Sequence, residues 1–127
     1  MSIEALKIIS DCLESLGINY EFMEWSSTPI PETYFVGEYQ ETEPMNEDGM
    51  QQTTFILTGH SRNSQIALEE AKKEIEYLFP KVEGKTVITD SGSAVAIFYA
   101  NSSPIPSVVG GLRKIQINLL VKEWKGE

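Results

Sequence analysis

His60 is the residue in this sequence whose side chain has the most obvious catalytic potential, and it lies between Gly59 and Ser61. A metal site would need further His or Cys ligands, and no spacing of such residues in the sequence provides them. A general base would need an orienting acid and a nucleophile, which only folding could bring near. We therefore interpret His60 as a turn or surface residue. The sequence predicts no catalytic, cofactor-binding or metal-ligating residue.

Other reactive side chains are explained by the segments in which they lie. Cys12, the single cysteine, falls on the apolar face of a predicted helix and is interpreted as a packed thiol. Ser91 and Ser93 lie in a predicted hairpin turn and lack the Gly-x-Ser-x-Gly pattern of a nucleophile elbow. Gly110-Gly111 lacks the Lys-Ser/Thr of a phosphate-binding loop. The sequence therefore favours a protein that is not an enzyme.

An acidic segment could suggest a cation site. Its carboxylates are Glu41, Glu43, Glu47 and Asp48. They do not have the spacing of a calcium-binding loop or its terminal bidentate glutamate. We predict a solvated surface loop that joins two antiparallel strands, with Asp48-Gly49 in its turn.

Two groups of side chains are candidates for contacts with other subunits or partners. The segment 101–111, NSSPIPSVVGG, keeps apolar residues among Pro, Ser and Gly, and these dock either on a partner or on the loop's own core. The arginines, with Lys114, either pair with acidic patches on a neighbouring copy or remain solvated. The candidate contacts are Ile105, Val108, Val109, Arg62 and Arg113.

Length and charge limit the classes of protein that the sequence allows. Its 127 residues predict one domain, 1–127, large enough to bury a core without a metal or disulfide. No run is long and apolar enough for a membrane span, and the N-terminus lacks the features of a signal peptide. The net charge of −9 argues against nucleic acid as a bound partner, although DNA could pass by unbound.

The hydrophobic pattern predicts the elements that position these residues. In the segment Thr53 to Phe79, a strand pattern changes through a polar turn, Gly59 to Ser64, into a helix pattern. The charged outer face of that helix is either solvent surface or a subunit contact. The other elements are a helix with Ser2 as its N-cap and Gly17 as its left-handed stop, and strands at Asn19 to Trp25, Thr33 to Thr42, Lys85 to Asp90, Ala94 to Ala100 and Leu112 to Trp124, with a possible bulge at Gly37.

These elements predict an α+β fold of two layers, in which a strand that feeds directly into an amphipathic helix requires a sheet to support that helix. The sheet is expected to be mixed, mainly antiparallel and of about five to six strands. The predicted order is α-β-β-β-α-β-β-β.

Several phrases resemble one family of proteins. YEFMEW, YFVGEYQE, TTFILTG, AVAIFYA and IQINLLVKEW are similar to phrases in minor structural, or minor capsid, proteins from the tail modules of phages and prophages of Gram-positive bacteria. The length and element order are similar to those of tail-terminator, or tail-completion, proteins of long-tailed phages. The resemblance covers the chain from about Asn19 to Trp124.

The resemblance implies a virion protein, present in the host cytoplasm during assembly, that forms a ring, commonly a hexamer, at the head-proximal end of the tail tube. Such a ring ends tube polymerisation and joins the tail to the head connector or stopper protein, while DNA passes through without specific binding. Part of the acidic segment Glu41 to Asp48, or other acidic positions, is then expected to face the lumen. The loop SVVGGLRK departs from the more polar, acidic loop expected at that position.

Two alternatives remain from the sequence. The first is a head-tail stopper or adaptor, which belongs to the same structural class. The second is a cytoplasmic α+β module that binds a small molecule or peptide, which a deep and partly apolar pocket would favour.

Overall fold

The computed structural model describes residues 1–41, 44–62, 64–106 and 110–125. The described residues form α1 (Ile3–Ser15), β1 (Tyr20–Phe22), β2 (Thr33–Glu41), β3 (Met50–Arg62), α2 (Gln65–Leu78), β4 (Lys85–Ile88), β5 (Ala94–Ile105) and β6 (Leu112–Trp124). The α+β class and the predicted order of elements are confirmed.

The strands form a mixed sheet in the order β1-β2-β3-β6-β5-β4. The short β1 pairs with β2 in parallel, and the remaining pairs in the described part of the chain are antiparallel. At the centre, β3 and β6 are each 13 residues long and pair without a break from Met50 with Trp124 to Arg62 with Leu112. This central pair provides the rigid axis of the molecule.

Side chains cap the start of each described helix. The Oγ atom of Ser2 accepts a hydrogen bond of 3.1 Å from the backbone N–H of Ala5 at the start of α1. Ser64 Oγ accepts one of the same length from Ala67 at the start of α2. Each hydroxyl satisfies a donor that has no partner inside the helix. Gly17, with φ of +74°, ends α1 in the left-handed conformation that the sequence predicted.

The helices pack against one face of the sheet, which we call the covered face. Odd-numbered residues of β3 and β6 lie on this face, because successive side chains of a strand point to opposite sides. Ile9 and Leu13 of α1 and Leu68 and Ile75 of α2 belong to the same buried core cluster as the covered face. The core residues of the central strands are Phe55, Leu57, Ile115, Ile117, Leu119 and Val121.

Two glycines on the covered face lie beneath phenylalanine rings. A Cβ atom added to Gly59 would lie 2.5 Å from the ring of Phe35, and one added to Gly37 would lie 2.5 Å from the ring of Phe55. The predicted bulge at Gly37 is wrong, because β2 and β3 stay in register across this residue. Glycine is required at both positions because the aromatic rings occupy the space of a side chain.

The structure corrects the bounds of several predicted segments, and the largest changes concern β3, β1 and β5. Gly59 to Arg62 belongs to β3 and not to a turn, because β2 and β6 both pair with this segment. The strand predicted from Asn19 to Trp25 extends only from Tyr20 to Phe22. β5 continues through Ile105 into the predicted loop 101–111, after a register shift between Tyr99 and Asn101. Local sequence contains too little information on strand partners to set these limits.

Candidate functional site

The sheet face away from the helices, which we call the open face, carries a mixture of apolar and polar side chains. Across the central strands, the register places Ile56 beside Asn118, Thr58 beside Gln116 and His60 beside Lys114. All six residues are partly buried, whereas those on the covered face are almost fully buried. An antiparallel sheet can leave one face to solvent or to a partner. The open face is therefore a surface on which contacts can form.

The two ends of the sheet differ in charge. The start of β2, the end of β3 and the start of β6 meet at one end, which carries Arg62, Arg113 and Lys114 alongside Glu32 and which we call the arginine end. The opposite end, which we call the carboxylate end, carries Glu4, Glu41, Glu47, Asp48, Asp90 and Glu123, alongside Lys125. A strand of 13 residues separates the two ends by roughly 40 Å.

The arginine end brings together three of the predicted contact residues. Ile105 and Arg113 line one groove of about 360 Å³ with Gln65 and Pro104. Ile105 pairs in register with Lys114 at the end of β5, so it is a strand residue and not a loop residue as predicted. Gln65 Nε2 is buried with no hydrogen-bond partner among the described residues. Val108 and Val109 lie outside the described residues.

Arg62 and Arg113 lie on opposite faces of the sheet, although both are exposed at the same end. Arg113 pairs with Ser61 and lies on the covered face. Arg62, two residues from His60, lies on the open face. The Nη2 atom of Arg62 donates a hydrogen bond of 3.4 Å to the carbonyl oxygen of Ile30. The two guanidinium groups therefore extend the positive charge across the thickness of the sheet.

The carboxylate end is tied to the start of α1. The Met1 ammonium pairs with the Glu41 carboxylate, and the Ser2 hydroxyl donates to Glu123. Ser91 Oγ donates to Glu4 Oε1 at 2.9 Å. Glu41 is the last residue of β2, within the strand predicted at Thr33 to Thr42, so it does not belong to the acidic loop with which it was also grouped. These contacts line a groove of about 530 Å³ beside Trp124.

Glu47 and Asp48 lie exposed in a turn that Asn46 organises. The Asn46 side-chain oxygen accepts hydrogen bonds of 3.0 Å from the backbone N–H groups of Asp48 and Met50. Gly49 has a φ of +78°, as a turn at Asp48-Gly49 requires. This part of the predicted surface loop is confirmed. Glu43 lies outside the described residues.

His60 lies on the open face of β3 and stacks on Tyr34 of the neighbouring strand. The ring centroids are 4.9 Å apart and the rings are nearly parallel, at 14°. Burial, and to a lesser extent the nearby Lys114 ammonium, lowers the pKa of His60 from its ordinary value. The neutral form of the imidazole is therefore favoured. The predicted turn position of His60 is wrong, but its partly exposed setting agrees with the surface alternative.

Tyr34 also contacts Trp25, which makes a row of three rings. The Trp25 and Tyr34 centroids are 5.3 Å apart, at an interplanar angle of 49°. A groove of about 330 Å³ runs along this row, and Glu24 and Glu38 are among the residues that line it. We call it the aromatic groove. Its remaining lining residues are Met23, Val36 and Thr58.

The aromatic groove was not predicted from the sequence. The pattern NYEFMEW predicted that Trp25 continues a strand, but the chain leaves β1 after Phe22 and Met23 adopts a φ of +72°. A positive φ is uncommon for methionine and turns the chain back. The acid-aromatic composition of this segment was a signal for the site, but the contact with Tyr34 and His60 depends on the register of β2 with β3.

Hydrogen bonds to Glu21 hold the segment that carries Trp25. The Glu21 carboxylate accepts from the Ser26 N–H at 3.0 Å, from Ser26 Oγ at 2.8 Å and from the Ser27 N–H at 3.3 Å. The indole N–H of Trp25 donates to the Ser27 carbonyl at 2.8 Å. The hydrogen bond from the Ser26 backbone, with those from Ser27, lowers the pKa of Glu21. The groove wall is thus fixed before any ligand arrives.

The remaining candidates for chemistry have structural roles. Cys12 is half-buried against the core, and burial raises the pKa of its thiol, which makes it less reactive. Ser91 and Ser93 lie in the turn between β4 and β5, closed by a backbone hydrogen bond of 2.8 Å from Thr89 to the Ser93 carbonyl. Within the described ranges, the structure contains no group of His, Cys, Asp and Glu side chains that could hold a metal ion.

No α-helix in the described part of the chain has the length and apolar character needed to cross a membrane. Comparison of the sequence with protein-family models and with curated proteins finds no match to either.

Proposed function

We propose that this chain is a structural subunit of a phage tail, of the tail-terminator type, that assembles head to tail into a ring. The observation that supports the proposal is the opposite charge at the two ends of one rigid sheet. The family is suggested by the sequence resemblance described above. The proposed ring ends the tail tube and presents the tail to the head connector.

A cyclic ring is built from heterologous contacts, so each subunit must present two different surfaces that fit one another. The arginine end and the carboxylate end meet this requirement. Arg62 and Arg113 are exposed at one end, and Glu47 and Asp48 are exposed at the other. A contact between the two ends joins opposite charges and steers the subunits into register.

The contact is confined to the sheet layer. Glu69 and Glu70 lie exposed on α2, whose start follows the arginine end, so a neighbour's carboxylates would meet repulsion there. Head-to-tail contact would also place Glu47 and Asp48 between subunits and not in the lumen. The prediction that they face the lumen stays a prediction, and the two arrangements differ in their response to mutation.

The overall charge is compatible with a channel for DNA. A ring of chains that each carry −9 repels phosphates and would not bind the passing duplex. The alternative role as a stopper or adaptor requires the same kind of assembly. A small-molecule site is a second candidate, because the groove beside Trp124 has a volume of about 530 Å³, within the range of ligand pockets.

Light scattering coupled to size-exclusion chromatography, with negative-stain images, tests the proposal over a range of protein concentrations. We expect a species several times the monomer mass of 14.2 kDa that becomes ring-shaped at high concentration and dissociates in high salt. The double variant Arg62→Glu, Arg113→Glu should remain monomeric. Combining it with Glu47→Lys and Asp48→Lys should restore assembly.

The matched control is Lys72→Glu with Lys73→Glu, which makes the same change of charge on α2. A chain that is monomeric at every concentration, and that has no effect on polymerisation of a tail-tube protein, would contradict the proposal. If the Arg62→Glu, Arg113→Glu variant still assembles while Glu47→Lys does not, the head-to-tail contact alone would be contradicted.

A further inference from the structure

We propose that the aromatic groove binds an arginine or lysine side chain of a basic partner protein. The groove is defined by Trp25, Tyr34 and His60, with Glu24 and Glu38 on its walls. This inference goes beyond the ring assembly and does not depend on it, because the groove lies on the open face and assembly was assigned to the sheet ends.

Three rings in one row offer the kind of surface that attracts a cation. The faces of Trp and Tyr carry negative charge density, and a cation within about 6 Å of a ring centroid is stabilised by it. The row is continuous, since Tyr34 lies 5.3 Å from Trp25 and 4.9 Å from His60. The open face already contains one such pair, with Lys122 Nζ 5.6 Å from the centroid of Phe98.

Two carboxylates favour a cation over a neutral apolar group. Glu24 and Glu38 are exposed, and neither makes an ion pair within the described residues. A guanidinium group can stack on an aromatic ring and donate to a carboxylate at the same time, because its donors lie in the plane of the group. The groove offers both kinds of partner at its wall.

The groove is preorganised. Glu21 and Trp25 hold the segment that forms its outer wall through hydrogen bonds to Ser26 and Ser27. Its inner wall is the paired β2 and β3. Side chains that are already fixed lose little conformational freedom when a ligand binds. Its volume of about 330 Å³ is at the small end of the range for ligand pockets, and a single side chain fits within it.

Charge identifies the class of partner. The chain carries −9, so away from the oppositely charged sheet ends a second copy would be repelled, whereas a basic protein would be attracted. The positive groups that face this region are Lys114, beside His60 on β6, and Arg62 at the end of β3. Their positive charge disfavours a cation on the side of the groove that faces the central strands. The cation must therefore enter from the β1 side, where Glu21, Glu24 and Glu38 lie.

The protonation state of His60 is part of the site. His60 is packed against Tyr34 on β2 and Lys114 on β6 and follows Gly59 along its own strand. Burial favours its neutral form, and its protonation would add a positive charge beside the ligand. Binding should therefore weaken as the pH falls through the range in which His60 is protonated.

Nuclear magnetic resonance titration of the full chain with the capped peptide glycine-arginine-glycine tests the proposal. The same peptide with citrulline in place of arginine keeps the shape and removes the charge. We expect saturable shifts of the Trp25 indole and of the amides of residues 34–38 and 58–60 with the arginine peptide, and much smaller shifts with citrulline. Tyr34→Leu and Glu38→Gln should each weaken binding roughly two- to fivefold.

The control variants are Tyr77→Leu and Glu76→Gln on α2, where Tyr77 is 88% exposed and far from the groove in the fold. They should bind the arginine peptide as the natural chain does. Thermal unfolding of each variant shows that the loss is not a loss of fold. Equal shifts with citrulline, or unchanged affinity in Tyr34→Leu and Glu38→Gln, would overturn the proposal.

A different result would identify another occupant. If the arginine peptide does not bind, while Tyr34→Leu abolishes self-association and the Arg62→Glu, Arg113→Glu variant does not, the groove holds a second copy of this chain. That outcome would overturn both the basic partner and the head-to-tail contact. Loss of peptide binding with normal ring formation would overturn the basic partner alone.

Discussion

The two faces of one sheet show how the same strands can serve stability on one side and recognition on the other. On the covered face, Leu57 and Leu119 are completely buried, and phenylalanine rings fill the space above Gly37 and Gly59. On the open face, the alternate residues are only partly buried and include His60. Because side chains alternate along a strand, a shift of one residue in register would exchange these roles.

The comparison predicts that truncation on the covered face has the largest effect. Leu57→Ala removes a fully buried side chain from the central strand and should lower the free energy of unfolding by about 2–5 kcal/mol. Ile56→Ala, the neighbouring substitution on the open face, should cost clearly less. Urea denaturation of both variants measures the difference. Equal losses would show that the open face is as well packed as the covered face, or that a partner covers it.

Addition of a methyl group provides the second comparison. Gly59→Ala on the covered face places a Cβ atom against Phe35 and Ile115 and should cost about 1–3 kcal/mol through overpacking. Gly110→Ala is the control, because a Cβ atom there meets nothing within 4 Å. Thermal unfolding of the two variants should separate them by several degrees. A neutral Gly59→Ala would mean that the Phe35 ring moves without cost.

The third prediction concerns pH and the open face. Because burial lowers the pKa of folded His60 from its ordinary value of 6.5, the unfolded chain takes up the proton first as the pH falls. The stability of the folded state therefore falls as the pH decreases below about 6.5. The loss due to His60 stops growing once the pH is below the lowered pKa of the folded state. Urea denaturation between pH 7.5 and 5.5 should show a smaller decrease in His60→Gln than in the natural chain. An equal decrease in both would assign the effect to the carboxylates.

The smallest effect is expected at the edge of the open face. Glu21 has a lowered pKa, so its hydrogen bonds favour the folded state above the ordinary pKa of 4.5 and are lost as the pH falls through the folded value. Glu21→Gln should release the segment that carries Trp25 with little change in overall stability. In a Trp124→Phe background, the fluorescence of Trp25 should shift to longer wavelength. An unchanged spectrum would show that Glu21 does not hold the segment.

The sequence predicted the positions of the helices and strands better than the residues at which they begin and end. The period of two in β6 and the period of 3.6 in α2 are local properties, and both elements were found where they were expected. The end of β3 was placed too early because Gly59, His60 and Ser61 have the composition of a turn. Pairing with β2 and β6 overrides that local preference.

The candidate sites show the same difference between what local sequence predicts and what strand pairing decides. Arg62, Arg113 and Ile105 were selected from the sequence, and the structure brings them to one end of the sheet. The two arginines lie on opposite faces of the sheet because of the strand register. The aromatic groove was not predicted at all, since Trp25, Tyr34 and His60 are separated by a connecting segment and a strand hairpin.

The amino-acid sequence by itself determined the α+β class, the order of the elements, the helix caps at Ser2 and the left-handed stop at Gly17, because each depends on neighbours within a few residues. The tertiary structure alone decided which side chains meet across strands. It placed phenylalanine rings over two glycines, separated the charges to opposite ends of the sheet and stacked His60 on Tyr34. The physical reason is that strand register is set by packing of the whole sheet on its helices, and no local sequence signal contains that information.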